Sequence, residues 1–229
     1  MTKTAIITGA SSGIGEAIAR KLAKEKMNVV LVARSEDKLQ ALAKEIEEQS
    51  DVEALPVKTD VSKEEDVSAM VKQVKKKFDT IDIYVNNAGA MLSGAVTDGA
   101  LSDWEKMIDV NIKGALYGLY QVIPNMIARK TGHIINIASV SGLEVTKKST
   151  VYSATKFAVR AISTGLEKEL AHTGVRVTNI SPGMVDTSLT TRSMINRKPL
   201  DAANIADAVA YAVTQPPHVN VNEITVRPV

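Results

Sequence analysis

The run Thr8-Gly9-Ala10-Ser11-Ser12-Gly13-Ile14-Gly15 follows the β-branched segment Ala5-Ile6-Ile7 and opens into a stretch with apolar residues at Ile14, Ala17, Ile18 and Leu22. A buried strand, a glycine-rich turn and an amphipathic helix are thereby read in succession. Glycines allow a tight turn and let backbone N–H groups approach a pyrophosphate, and the helix N-terminus adds a favourable dipole. A glycine-rich turn without a ligand is the plain alternative. The position at the first strand-helix junction, with the spacing G-x-x-x-G-x-G, favours the phosphate reading.

Outward from this junction the chain alternates between two patterns. Short apolar runs near 4–8, 28–33, 53–57, 81–85, 132–137, 175–180 and 222–227 read as strands. Segments with helical apolar spacing lie near 13–26, 36–49, 63–78, 101–128, 150–172 and 202–214. Ser62 and Glu65 have the spacing of a capping box for the third helix. Pro124 is expected to kink or end the fourth. The alternation predicts an α/β fold: a doubly wound, seven-stranded parallel sheet with helices on both faces, in a single domain over residues 1–229. Residues 183–200 lack a clear period and are expected to form a substrate loop beyond a strand end.

The chain has 229 residues and no cysteine, which excludes disulfides, thiolate metal sites and cysteine nucleophiles. His133, His172 and His218 lie far apart, so no metal site is expected. A formal net charge of +2 gives no case for nucleic acid or membrane partners. Lys72, Lys75, Lys76 and Lys77 read as a solvated helix end rather than a binding patch. No leader or spanning segment is read, and a cytoplasmic location is expected.

The second strand ends Val32-Ala33-Arg34-Ser35. In a dinucleotide fold an acidic residue there would accept from a ribose 2′-hydroxyl, whereas a basic one accommodates a 2′-phosphate. Arg34 offers a planar fork for phosphate and Ser35 a further hydroxyl, so NADP(H) is favoured. Ser35 also reads as a helix cap. Asp60, followed by Val61, is placed either to accept from an adenine amino group or to serve as a turn or N-cap aspartate.

Tyr152 and Lys156 are four apart and share one helix face. An ammonium beside a phenol is expected to lower the tyrosine pKa and to make it a proton donor or acceptor. Ser139 and Ser141 follow one strand, and Asn86-Asn87-Ala88-Gly89 follows another. Polar residues past buried strands point to local work. Asn86 also reads as a tie between neighbouring segments.

The set Thr8–Gly15, Asn86–Gly89, Ser139, Tyr152, Lys156 and Pro182-Gly183, in this order, resembles the short-chain dehydrogenase/reductase family over essentially the whole chain. The NADP-dependent 3-hydroxy acid (serine-type) dehydrogenases and clavaldehyde-dehydrogenase-like reductases are the members it looks most like. The resemblance implies a Rossmann-like fold and an oxidoreductase acting on CH–OH groups of a small aldehyde, ketone or 3-hydroxy/3-oxo acid. It implies that Tyr152 transfers the proton and that Ser139 polarises the reacting oxygen. Lys156 would tune Tyr152 and hold the nicotinamide ribose, and Asn111 would anchor a relay water. Gly9, Ser11, Ser12, Gly13, Ile14 and Gly15 would line the pyrophosphate loop, with Asn87, Ala88 and Gly89 along the adenosine. Pro182, Gly183, Val185 and Thr187 would orient the carboxamide. Many NADP-preferring members carry a basic residue where Ser12 stands. Arg192, Arg197 and Lys198 fall in the 183–200 loop, where one is placed to pair with a substrate carboxylate or to remain solvated. A homotetramer or homodimer is implied through the helices near 101–128 and 150–172. The competing function is a non-catalytic NADP(H)-binding sensor or scaffold. An epimerase or dehydratase on a nucleotide sugar would need a larger C-terminal region.

Overall fold

The computed structural model describes residues 2–92, 94–187 and 198–229. Among them the apolar runs form seven strands: β1 (Thr4–Thr8), β2 (Asn28–Ala33), β3 (Ala54–Lys58), β4 (Ile83–Asn86), β5 (Gly132–Ile137), β6 (Val175–Pro182) and β7 (Glu223–Val226). They make one parallel sheet in the order β3-β2-β1-β4-β5-β6-β7. The helices are α1 (Gly13–Lys24), α2 (Glu36–Gln49), α3 (Glu64–Phe78), α4 (Leu101–Ile108), α5 (Gly114–Arg129), α6 (Thr150–Glu169) and α7 (Ala202–Thr214). Side chains alternate across a strand, so each central strand feeds two cores. Ala5 and Ile7 pack with Ile18, Leu22, Leu39 and Ile205 on one face. Ile6 and Tyr84 pack with Met70, Val74, Leu119 and Val122 on the other. The strand order reverses between β1 and β4, and a crevice at the carboxyl ends is the binding place in such sheets.

Three local expectations are corrected. The Ser62/Glu65 capping box is absent: Lys63 is the N-cap of α3 without a side-chain bond, and the Ser62 hydroxyl donates to Asp60 Oδ1 at 2.7 Å instead. The segment 101–128 is not broken at Pro124, which lies inside α5. The interruption is a π-helical turn, Asp109–Lys113, which adds a residue to the helical repeat and turns Asn111 into the interior, where it is 3 % exposed. The sixth helix ends at Glu169 rather than 172.

The lower edge of the sheet holds a histidine that the sequence left without a role. His133 is buried, with Nε2 at 2.8 Å from Thr178 Oγ1 and Nδ1 without a hydrogen-bond partner. Burial, with Arg176 and Lys3 nearby, lowers its pKa from 6.5 to about 3. Arg176 is held by the carbonyls of Val213, Gln215 and Val219 at and beyond the end of α7. The folded state thus binds fewer protons than the unfolded chain between about pH 3 and 6.5, so stability is lost as pH falls through this window. Urea unfolding is expected to show a loss of about 2 kcal/mol at pH 5 relative to pH 7.5 from this group, a loss that His133→Gln should remove.

Candidate active site

At the carboxyl ends of the strands lies a cleft of about 740 Å³. Its floor is the turn between β1 and α1. Gly9 and Gly13 hold positive φ of 70° and 58°, a region that disfavours side chains. A Cβ on Gly15 would overlap the Gly9 carbonyl oxygen and lie 2.6 Å from Asn87 Nδ2. The glycines therefore serve conformation at Gly9 and Gly13 and close approach at Gly15. Ser12, the N-cap of α1, makes no side-chain capping bond, and a helix leaves its first N–H groups without intrahelical partners. Gly13, Ile14 and Gly15 line the cleft at this point, and helix starts of this kind suit anions.

Thr8, the last residue of β1, organises the next strand end. Its hydroxyl donates to Val85 O at 3.1 Å and accepts from the N–H groups of Asn87 and Ala88, each at 3.0 Å. Asn87 Nδ2 donates back to Thr8 O at 2.8 Å. Asn86 takes the structural part foreseen for it: Nδ2 donates to Asn136 Oδ1 at 2.8 Å, and Asn136 donates to Ser163 Oγ at 2.9 Å. A buried polar network thus ties β4 to β5 and to α6. Arg34 and Ser35 line the cleft past β2. Asp60 is a turn aspartate whose Oδ1 accepts from Ser62 N and Oγ. Burial alone would lift its carboxyl, but the Ser62 bonds, with Arg34 nearby, hold it below its ordinary pKa.

Ser139, Tyr152 and Lys156 face the opposite wall of the same cleft. Ser139 Oγ accepts from Ser141 N at 3.1 Å, which leaves its own proton to donate. Lys156 Nζ donates to Ile137 O at 2.9 Å and sits 5.8 Å from the Tyr152 ring centroid. Burial lowers the Lys156 pKa to about 8. The expected lowering of the Tyr152 pKa is corrected. Burial raises it, and a hydrogen bond from Ser139 opposes that rise. Desolvation disfavours the phenolate more than its neighbours favour it.

Residues 3–198 match the family model described as short chain dehydrogenase. The chain belongs to the short-chain dehydrogenase family. An uncharacterized oxidoreductase of Staphylococcus aureus is 56% identical over 228 residues, covering 99% of this chain and 97% of its own. Among solved structures, the closed form of a serine dehydrogenase complexed with NADP+ superposes with a TM-score of 0.91 at 33% identity, covering 97% of this chain and 94% of that one. An alcohol dehydrogenase from the archaeon Thermococcus sibiricus, complexed with 5-hydroxy-NADP, gives a TM-score of 0.92 at 32% identity over 99% of this chain and 96% of its own. The Rossmann-like sheet is thus that of a family oxidoreductase.

Within this short-chain dehydrogenase the residues singled out from sequence converge. Ser11, Ser12, Asp60, Val61, Ala88, Gly89, Pro182, Gly183, Val185 and Thr187 line the cleft with those already described. Asn111 lies just behind it, beside Lys156, in the wall of a void of about 10 Å³. Residues 188–197 of the 183–200 loop, Arg192 and Arg197 included, lie outside the described residues. Lys198 is described and exposed. Sequence reasoning missed Met91, Lys106, Thr146 and Met184, which also line the cleft. They come from loops and an exposed helix face, where no periodicity marks a residue. It also missed Thr155, whose buried hydroxyl lies between Asn111 and α6.

Proposed function

We propose that this chain interconverts a small carbonyl and the corresponding alcohol with NADP(H), Tyr152 acting as the proton-transferring residue. The observation that carries the reading is the convergence of Ser139, Tyr152 and Lys156 on the cleft that also holds the glycine turn and Arg34. The cleft volume lies within the roughly 300–1,000 Å³ of small-molecule sites. The uncapped start of α1 fits a pyrophosphate, and Arg34 without an acidic neighbour on its strand end fits a 2′-phosphate. The NADP complexes of the neighbouring structures add to this. When bound, the nicotinamide supplies or accepts the hydride.

The protein's own groups manage the proton and the oxygen. Ser139, whose hydroxyl donates to Tyr152, turns that O–H to the reacting oxygen when substrate is bound. Tyr152 gives its phenolic proton to that oxygen on reduction and takes it back on oxidation. Lys156 holds a positive charge behind Tyr152 and is the donor that would meet the cofactor ribose. The void it shares with Asn111 has room for one water, and this is the route by which the proton is replenished. Both Asn111 amide hydrogens are engaged by protein acceptors, so such a water is held by an Asn111 oxygen. Met91 and Met184 make the substrate end partly apolar and adaptable, suited to a small aldehyde, ketone or 3-oxo acid. Beside this end, Leu200 N donates to Met184 O at 2.9 Å.

Self-association as a homodimer or homotetramer fits the outer face of α5, where Leu116, Tyr120 and Ile127 are exposed, and Phe157 on α6. No helix among the described residues is long and apolar enough to cross a membrane.

Parallel fluorescence titrations with NADPH and NADH, followed by a panel of small aldehydes, ketones and 3-oxo acids, test the reading. NADPH is expected to bind more tightly and to be consumed with at least one substrate. Arg34→Ala should weaken NADPH binding about 10-fold or more and leave NADH nearly unchanged. Binding without consumption across the panel would favour the sensor, and a preference for NADH would make Arg34 a surface arginine.

A further inference from the structure

Thr155 is 1 % exposed and lies immediately before Lys156 on α6. Its hydroxyl carries one proton, which it donates to Tyr152 O at 2.7 Å. A threonine bonding back to its own helix is common. Here the same oxygen also accepts from Asn111 Nδ2 at 2.9 Å. The second Nδ2 hydrogen goes to Ala90 O at 2.9 Å, and Asn111 Oδ1 accepts from Ala90 N at 2.7 Å. One unbroken chain of hydrogen bonds therefore runs from the Tyr152 carbonyl through Thr155 and Asn111 to the Ala90 backbone. It joins three elements that are separate in sequence: the helix bearing Tyr152 and Lys156, the π turn, and the loop after β4 that walls the cleft. Gly89 in that loop faces both Asn111 and Lys156: a Cβ there would lie 3.5 Å from Asn111 Oδ1 and 3.7 Å from Lys156 Nζ.

We propose that Thr155 is a positioning residue: its hydroxyl locks Asn111 and the Ala90 loop to the helix that carries Tyr152 and Lys156, and so sets the spacing across which the proton is replenished. The proposal rests on the oxidoreductase reading above. A buried amide hydrogen left without an acceptor is unfavourable, so removing the hydroxyl forces Asn111 to turn or shift. Misplacement of order 1 Å lowers rates by roughly 10²-fold in comparable sites.

Thr155→Val removes the hydroxyl and Thr155→Ser keeps it. With NADPH and a substrate the wild type consumes, Thr155→Val is expected to lower kcat about 10-fold or more, to leave KM and the NADPH Kd within about 2-fold, and to displace the pH profile of kcat. Thr155→Ser should restore all three. In an Asn111→Ala background, Thr155→Val should lower kcat no further, because the two residues act in series. Hydrogen exchange at the Ala90 amide, read in the NADPH complex, should accelerate in Thr155→Val and not in Thr155→Ser. If Thr155→Val fails to fold, the Thr155→Ser and Thr155→Ala pair gives the same comparison. A variant that melts earlier with unchanged kcat, an additive effect with Asn111→Ala, or unaltered Ala90 exchange overturns the proposal. If the wild type binds NADPH but consumes it with no carbonyl, the functional reading fails. The Ala90 exchange then still decides whether Thr155 holds the loop.

Discussion

Exchange of Lys156 for methionine is expected to abolish turnover and, at the same time, to raise the melting temperature of the cofactor-free protein. Lys156 is a buried lysine with one hydrogen bond, to Ile137 O. Burial depresses its pKa from 10.5 to about 8. At pH 7 the ammonium is therefore kept in the folded state against its desolvation, at about 3 kcal/mol for a shift of this size. The folded protein loses this proton near pH 8, whereas the unfolded chain keeps it to about 10.5. Between these values the unfolded state binds more protons, so the wild type gains stability as pH rises through the window. Methionine fills similar volume without the charge. Allowing for the Ile137 carbonyl left without its donor, a net gain of about 2 kcal/mol is expected at pH 7, or roughly 4–8 °C for a domain of this size. Differential scanning calorimetry at pH 7 and pH 9.5 checks it, because the gain should shrink at the higher pH. Turnover should fall at least about 10³-fold, since the charge behind Tyr152 is lost. Equal or lower stability at pH 7 would mean that the ammonium is better compensated than its single bond implies. A gain in stability with loss of turnover would mean that stability is given up here for function.

How much of this was legible in the residues follows from which physical rule each one obeys. The strands could be read because parallel strands buried on both faces are continuous apolar runs. β5 is buried at every position. The glycine turn could be read because backbone approach excludes Cβ atoms, and this leaves a trace in composition. Arg34, Ser139, Tyr152 and Lys156 stand at strand ends or at helical spacing, where position itself is informative. Asn111 was a polar residue in an apolar helix, and only the family resemblance gave it a role. The π turn that turns it inward has no signature in the 3.6 period. Thr155 was invisible for a related reason. A threonine beside a lysine on a helix reads as solvated, and its partner lies 44 residues away.

The misreadings are equally physical. Ser62 has two competing partners, the N–H donors at the start of α3 and the Asp60 carboxylate, and the carboxylate wins because a charged acceptor makes the stronger bond. Pro124 was expected to interrupt its helix, yet α5 packs from both sides of it through Val122 and Met126, and tertiary burial overrides a local penalty. The direction of the Tyr152 pKa was misjudged because spacing gives proximity and not solvation. Lys156 is near, but it is buried and Tyr152 is largely shielded from water, and desolvation is the larger influence on each.

Two tyrosines, Tyr152 half-buried on the cleft and Tyr84 fully buried, make the sharpest test of the site. Tyr152→Phe should lower kcat at least about 10³-fold while NADPH binding stays within about 2-fold, because the ring remains and only the transferable proton is gone. Tyr84→Phe should leave kcat unchanged and stability equal or up to about 1 kcal/mol higher. Tyr84 lies beneath α5, where a Cβ on Gly118 would overlap its hydroxyl, and that hydroxyl has no partner. Burial raises the pKa of both phenols, but only Tyr152 has a donor, Ser139, that favours its ionised form. The sign of the raised Tyr152 pKa also fixes the pH dependence. Reduction uses the protonated phenol, so its rate should be flat through neutral pH. Oxidation uses the phenolate, so its rate should climb with pH across the same range. Steady-state kinetics in both directions, with urea unfolding of both variants, gives every quantity required. Retained turnover in Tyr152→Phe would remove Tyr152 from the mechanism. A profile with oxidation already level at pH 7 would mean that bound ligands reverse the effect of burial on the phenol.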